Sequence, residues 1–271
     1  MLVLSTALLA INLGPRAAPT TELSRRGALT QAAAALVAVP LAAKADVRGV
    51  NEFAPKGERD INNFLKTQGL PPLTVGKDLS ALVGYIGTAN PANIDGSKTK
   101  GRAFGGTLLV RFVYPSGWLP QTPSITENGE AGNLGANNYI KGDSANFAAI
   151  PLPKGGSIAD VSKDLIKELL IAQMSNDVYE DVKVKKLKQV TQADGTETAV
   201  VDFTYTLLTR AGFTVNRKGV AGCMVAADCV VGIVTATTEE RYKNLEPLLR
   251  ASADSFRAYP VKATAFPGSI V

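Results

Sequence analysis

Asp194-Gly195 lies between two long runs of alternating character, VYEDVKVKKLKQV before it and ETAVVDFTYTLLT after it. Asp-Gly accepts the backbone of a tight hairpin turn, and alternation at period two marks half-buried strands. A second pair of runs follows at once, FTVNRKGVAGCMV and CVVGIVTAT, with Ala226 to Asp228 at the tip. Four strands joined by short turns pair as an antiparallel sheet, and such a sheet must cover its apolar face with another layer.

The flanking segments supply that layer. TLLVRFVYP reads as a strand ended by Pro115, and NNYIKGDSANFAAIPLP as two short strands turning at Gly142-Asp143. SIADVSKDLIKELLIAQM is helical, because Ile158, Val161, Leu165, Leu169 and Ala172 recur at helix spacing. Ser157 is its N-cap, with Asp160 placed to assist. In TTEERYKNLEPLLRASADSF, the residues Tyr242, Leu245, Leu249, Ala253 and Phe256 share one face. Pro247 has no N–H to give, so the main helix is expected to begin near it, after a shorter turn capped by Thr237 and Glu240. The order predicts an α+β fold, an antiparallel sheet with helices on its faces.

Ahead of this region, residues 46–106 read as an N-terminal extension that wraps on the domain or on a partner. It holds one short helix around Glu58 to Lys66, the apolar piece DLSALVGYIG, and a loop, TANPANIDGSKTKGRAFGG. Residues 107–260 form the expected domain, and 261–271 a tail.

The most apolar run is Ser24 to Ala45, SRRGALTQAAAALVAVPLAAKA. Its apolar part is roughly 17 residues, Ala-rich and broken by Pro40, at the short limit for a bilayer core of ~30 Å. Arg25 and Arg26 precede it and Ala43-Lys44-Ala45 closes it, the layout of a cleaved twin-arginine export signal over residues 1–45. Removing those 45 residues leaves 226, enough for one domain. Four basic and one acidic residue go with them, so the net charge falls from +5 to +2. A charge that small excludes a general attraction to nucleic acid. Met1 to Thr21 fits either a separate plastid address or a long basic head of the same signal.

Histidine is absent from all 271 residues, which removes the commonest general base, the commonest metal ligand and the Ser/His and Cys/His nucleophile pairs. No phosphate loop or dinucleotide fingerprint occurs. Asp181, Asp202 and Glu180 are carboxylates without a catalytic spacing. Glu127, Glu130 and Asp143 are weak candidates for calcium, and their spacing lacks the EF-hand pattern; no firmly bound cofactor is expected. Cys223 and Cys229 flank one hairpin tip, where a bridge after export and two buried thiols are both open. Trp118, between prolines after a strand, reads as a core plug. Lys183, Lys185, Lys186 and Lys188 crowd one strand. Alternation places the first two on one face and the last two on the other, unless a bulge near Lys185-Lys186 brings them together. They suit an electrostatic docking stripe for an acidic protein surface or membrane, or a guard against edge pairing.

Tyr114-Pro115 and Trp118 after a strand, the two hairpins, Arg241-Tyr242, the Ser255-Phe256 ending and the twin-arginine signal together resemble the PsbP family of thylakoid lumen proteins. The resemblance covers about Thr107 to Tyr259. It implies an antiparallel sheet sandwiched between helices and a protein that binds and shapes rather than turns over. It also implies a place in the chloroplast thylakoid lumen, peripheral to the membrane, on the lumenal face of a photosystem, photosystem II first. The family's photosystem II subunit helps retain calcium and chloride at the oxygen-evolving cluster; relatives assist assembly of either photosystem. The missing histidine and the long segment before Thr107 favour a divergent PsbP-like protein. A photosystem I assembly factor, or a lumenal carrier of a small ligand or ion, is the alternative.

Overall fold

The computed structural model describes residues 50–86, 107–126, 129–131, 133–152, 155–174, 178–209, 211–261 and 266–267. All belong to one compact unit that runs from Lys44 to Val271. The expected export signal with Arg25, Arg26, Ala43 and Ala45 lies outside the described residues, as does Glu127.

Twelve strands are described. β1 (Leu79–Ile86), β2 (Thr107–Pro115) and β12 (Arg257–Val261) form one antiparallel sheet in the order β1-β2-β12. β3 (Leu119–Gln121), β6 (Gly135–Asn138), β7 (Asp143–Pro151), β8 (Val178–Thr191), β9 (Glu197–Leu208), β10 (Thr214–Ala226) and β11 (Cys229–Thr238) form the other, in the order β3-β6-β7-β11-β10-β9-β8. β4 (Ser124–Thr126) and β5 (Gly129–Ala131) make a small hairpin. The helices are α1 (Glu58–Thr67), α2 (Lys163–Gln173) and α3 (Glu239–Ser255). Among the described residues no helix is long and apolar enough to cross a membrane.

The two expected hairpins are β8-β9, with Gly195 at a φ of 77°, and β10-β11. The second turns on Ala227 and Asp228, with φ of 51° and 59°. Both central residues are left-handed, the geometry that fits the twist of a two-residue hairpin even without glycine.

Alternate residues of the central strands enter different clusters. Ala199, Val201 and Phe203 of β9 and Ala221 and Cys223 of β10 pack with Ile166, Leu169 and Leu170 of α2. Val220 and Met224 of β10 and Val231 and Ile233 of β11 pack with Tyr242, Leu249 and Ala253 of α3. The same second cluster receives Leu108, Val110, Phe112 and Tyr114 of β2 and also Trp118, the core plug. The opposite face of β2, Leu109 and Val113, packs with Ile61, Phe64 and Leu65 of α1. β2 is thus covered on both faces, which explains why its run is almost continuously apolar. The extension does more than wrap: α1 and β1 complete a core of their own with β2.

Two helix boundaries differ from the sequence expectation. Ser157 and Asp160 do form a reciprocal capping box, but on a short 3-10 turn, Ile158–Asp160. A second cap, Ser162, accepts from the Leu165 N–H at 3.2 Å and starts α2 proper. Two caps five residues apart in sequence compete, and each takes its own turn. Conversely, Pro247 does not open a helix; it lies inside α3, which begins at Glu239. Pro247 is exposed, so water can reach the carbonyl that its missing N–H leaves unpaired.

α3 touches the sheet at Gly222. A Cβ placed there would lie 2.0 Å from the Ala253 carbonyl oxygen. Gly222→Ala must therefore lift α3 off β10. A loss of about 1–3 kcal/mol is expected for such overpacking, read as a lower denaturant midpoint with an unchanged slope.

Candidate functional site

β8 is an outer strand of the seven-stranded sheet and pairs only with β9. It carries the four lysines, and all four are exposed. At two places two residues of β8 face one of β9: between Glu180 and Lys183, and between Val184 and Lys186. The first irregularity holds Asp181 at a φ of 55°. The second leaves Lys185 as the extra residue, and its carbonyl accepts from Lys163 Nζ at 3.5 Å.

The second bulge decides where the charges point. Lys183 stands opposite Thr204, Lys186 opposite Asp202 and Lys188 opposite Val200. These partners are alternate residues of β9, so they share a face. That face is the α3 side, because Val200 packs on the α3 cluster and Asp202 bonds Arg250 of α3 at 2.7 Å. Val184 and Leu187 point the other way, into the α2 cluster. Lys185 joins Lys183 in lining a recess of about 370 Å³ with Thr204, Thr206, Asn216 and Lys218. Simple alternation would have split the lysines two and two; the bulge gathers them.

Carboxylates are threaded through this face. Asp181 lies 3.6 Å from Lys183, and Glu239 lies 3.9 Å from Lys218. Arg250 spans Asp202 and Glu246. Burial raises the pKa of Asp254, against the pull of Arg250, Arg257 and Lys188. Among the described residues, Lys185 has no carboxylate within ion-pair distance. Lys218 also lies 5.2 Å from the ring centroid of Tyr242, over its face. The lysine cluster could be found in the sequence. Lys163 and Lys218 could not, since only strand register and the helix position bring them to β8.

The other candidates resolve differently. Asp143 is not open to a calcium site with Glu127 and Glu130. Its side chain is fully buried; Arg241 Nη1 donates to Oδ1 at 2.5 Å and Thr237 Oγ1 at 2.7 Å. Among the described residues no group of three or more Cys, Asp or Glu is gathered for a metal. Cys223 and Cys229 do not form the bridge that their spacing allowed. Both are free and buried. Cys223 pairs with Gly232 and Cys229 with Ala226; the first belongs to the α2 cluster and the second to the α3 cluster. The sheet itself stands between the two sulfurs. Burial pushes the Cys223 thiol up to about 12, and burial with the nearby Asp228 charge pushes Cys229 up to about 11. Neither is a poised nucleophile.

The remaining motif residues act as fasteners. Tyr114, Trp118, Tyr242 and Phe256 are buried in one cluster. Val113 N–H donates to Ser255 Oγ at 2.9 Å, joining β2 to the end of α3 just before β12 begins. Burial raises the Tyr242 hydroxyl to about 12. Arg257 is buried and donates to Asp194 at 3.2 Å, which ties β12 to the β8-β9 turn.

No protein-family model matches this chain, and no curated protein matches it. Among solved structures it is similar to the solution structure of cyanobacterial PsbP (CyanoP) from Synechocystis sp. PCC 6803. The identity is 15%, the TM-score 0.40, and the match covers 55% of this chain and 86% of that one.

Two outcomes test the site's fasteners. Arg241→Met strands a buried carboxylate, and since Arg241 is partly exposed the loss should be about 2–3 kcal/mol, below the ~3–5 of a fully buried pair. Adding Asp143→Asn should recover part of it. The raised thiols predict a pH effect: the unfolded chain loses thiol protons near ~8.5 while the folded chain keeps them. That contribution to stability is complete below ~8.5 and falls away as pH rises toward the folded values. Urea midpoints between pH 8 and 10.5 should show a shallower decline for Cys223→Ala than for the unaltered chain.

Proposed function

We propose that the chain is a non-catalytic extrinsic protein that docks on the lumenal side of a photosystem and supports its assembly or stability. Photosystem II is the favoured site. The observation that carries the reading is the bulged β8, which turns Lys183, Lys185, Lys186 and Lys188 to one exposed face. Screened surface charges of this kind steer and orient a contact more than they tighten it. The twin-arginine layout and the short motifs that resemble the PsbP family support this reading, which takes the chain to be an α-β-α sandwich in the thylakoid lumen.

The chemistry elsewhere agrees with binding rather than turnover. Asp143, Asp194 and Asp202 are each engaged by an arginine. The two thiols are buried, and the chain has no histidine. Among the described residues, the side chains named above pack the large sheet against α2 and α3. Calcium retention, were it shared with the family's photosystem II subunit, would be an effect exerted on the partner's site, since Asp143 is already committed.

Binding to salt-washed photosystem II particles tests the proposal. The chain should bind at low ionic strength and leave as salt is raised. Replacing all four lysines by Gln should weaken binding about fourfold or more, at roughly 0.2–1 kcal/mol for each exposed charge, with a flatter salt dependence. If the variant binds normally but self-associates, the lysines guard the edge and the docking proposal fails.

A further inference from the structure

Exposed apolar side chains are common on any surface when they stand singly, so what matters is where they gather. Among the described residues seven large ones are exposed, and all but Phe53 lie at one end of the seven-stranded sheet. The strand registers place them there. Val178 opens β8 opposite Leu208 at the end of β9, and Leu208 stands opposite Thr214 at the start of β10. Phe213 belongs to the turn between β9 and β10. The start of β10 meets the end of β11, where Arg217 pairs with Thr238. The end of β11 meets the start of β7, where Ala236 pairs with Ser144. Tyr139 and Ile140 lie in the turn that joins β6 to that start of β7. Leu119 of β3 stands just behind it, opposite Asn137.

Both turns hold their apolar residues outward. Ile140 is 96% exposed and Phe213 70%. In the first turn the Lys141 N–H donates to the Asn138 carbonyl and to Asn138 Oδ1, each at 3.2 Å. In the second the Thr209 N–H donates to the Phe213 carbonyl at 2.8 Å, and the Phe213 N–H donates to Thr209 Oγ1 at 3.0 Å. Tight turns favour Gly, Asn, Asp, Ser and Pro. A β-branched Ile at such a place breaks the local rule and adds nothing to the core, which is the pattern of a functional position. Tyr139 leans back along β3, where its hydroxyl accepts from Gln121 Nε2. Charge at this end is mixed. Asp181 and Glu239 are engaged by Lys183 and Lys218, while Glu180 and Glu240 are exposed. Two cations lie at the Ile140 turn. Lys141 is exposed. Arg217 is buried, its Nε has no hydrogen-bond partner, and its Nη1 would lie 3.4 Å from a Cβ on Gly142. Among the described residues neither has a carboxylate within ion-pair distance.

We propose that this end of the sheet docks on a lipid bilayer, with Ile140 and Phe213 entering the acyl boundary and Tyr139 and Lys141 at the headgroup level. Six strand steps separate β3 from β8, about 29 Å at ~4.8 Å each. The apolar residues are therefore spread over separate tips and do not line a groove. A fluid lipid closes around each tip without a matching hollow, whereas a protein partner would need one for every tip. Tyr and Lys beside the protruding residues suit the interface, because the ring and the long stem are apolar while the polar ends stay wet. Lys141 and Arg217 favour anionic headgroups, and the apolar tips carry most of the binding. The inference does not rest on the docking face of β8.

Position-resolved fluorescence quenching on vesicles tests the proposal. Trp118 is the only tryptophan in the chain and is buried, so it serves as the internal control. Ile140→Trp, Phe213→Trp and Ala193→Trp are made singly in the full-length chain. Ala193 is exposed in the β8-β9 turn, at the opposite end of the sheet. Each variant is mixed with vesicles of phosphatidylcholine and phosphatidylglycerol whose acyl chains carry bromine. The apolar run of residues 27–43 can bind vesicles by itself, so the position of quenching is read rather than binding alone. Quenching of the added tryptophan should be at least threefold stronger at 140 and 213 than at 193. Adding Ile140→Ser to Phe213→Trp should at least halve the quenching at 213. Equal quenching at all three positions, none at 140 and 213, or no effect of Ile140→Ser overturns the proposal. A dimer that depends on Ile140 and shields position 213 from lipid also overturns it.

Discussion

The contact between Gly222 and the Ala253 carbonyl governs the architecture. α3 runs between the two sheets, and its Leu249 and Ala253 share a cluster with β10 and β11 on one side and with β2 on the other. Only a residue without a Cβ lets the helix backbone come that near. The close approach sets the distance at which β2 can pack, and hence where β1 and α1 sit. Ser255 then uses its hydroxyl to take the Val113 N–H one step beyond the β2-β12 ladder. The helix end and the strand after it are thereby fixed to β2 in register.

The outer strands β8 and β1 are treated in opposite ways. β8 is long, carries two register shifts and presents charge, features that discourage another strand from pairing with it. The same features gather its lysines on a surface that can meet an acidic partner. β1 is regular and largely apolar, and its outer edge meets a single amide side chain, Asn51, at Tyr85. One strand is closed to backbone pairing and open to charge. The other has its outer edge covered at Val83 and Tyr85, both buried.

Much of this could be read from the sequence because the strands are strongly periodic. The β8-β9 and β10-β11 hairpins stand where Asp194-Gly195 and Ala226 to Asp228 place them. The errors came where two local rules compete. Ser157 and Ser162 both cap, so one expected helix became a turn and a helix. Pro247 is tolerated inside α3 because its position faces solvent. The cysteine bridge was permitted by spacing and excluded by parity: residues 223 and 229 lie on opposite faces once Ala226 pairs with Cys229. Asp143 looked like a free carboxylate, since nothing local announces Arg241, which lies 98 residues later and donates to it. The lysine face was legible only conditionally. It depended on a bulge, and a bulge is set by how β8 meets β9 and Lys163 rather than by β8 alone.

Zero-length carbodiimide coupling between the chain and photosystem II particles, read by mass spectrometry, tests the central claim most directly. It joins lysines to carboxylates only where they touch. The account predicts that Lys183, Lys185, Lys186 or Lys188 couples to acidic residues of a lumenal subunit, and that high salt abolishes the products. Coupling solely through lysines elsewhere on the chain, such as Lys66 or Lys141, with the β8 lysines as reactive bound as free, would contradict it.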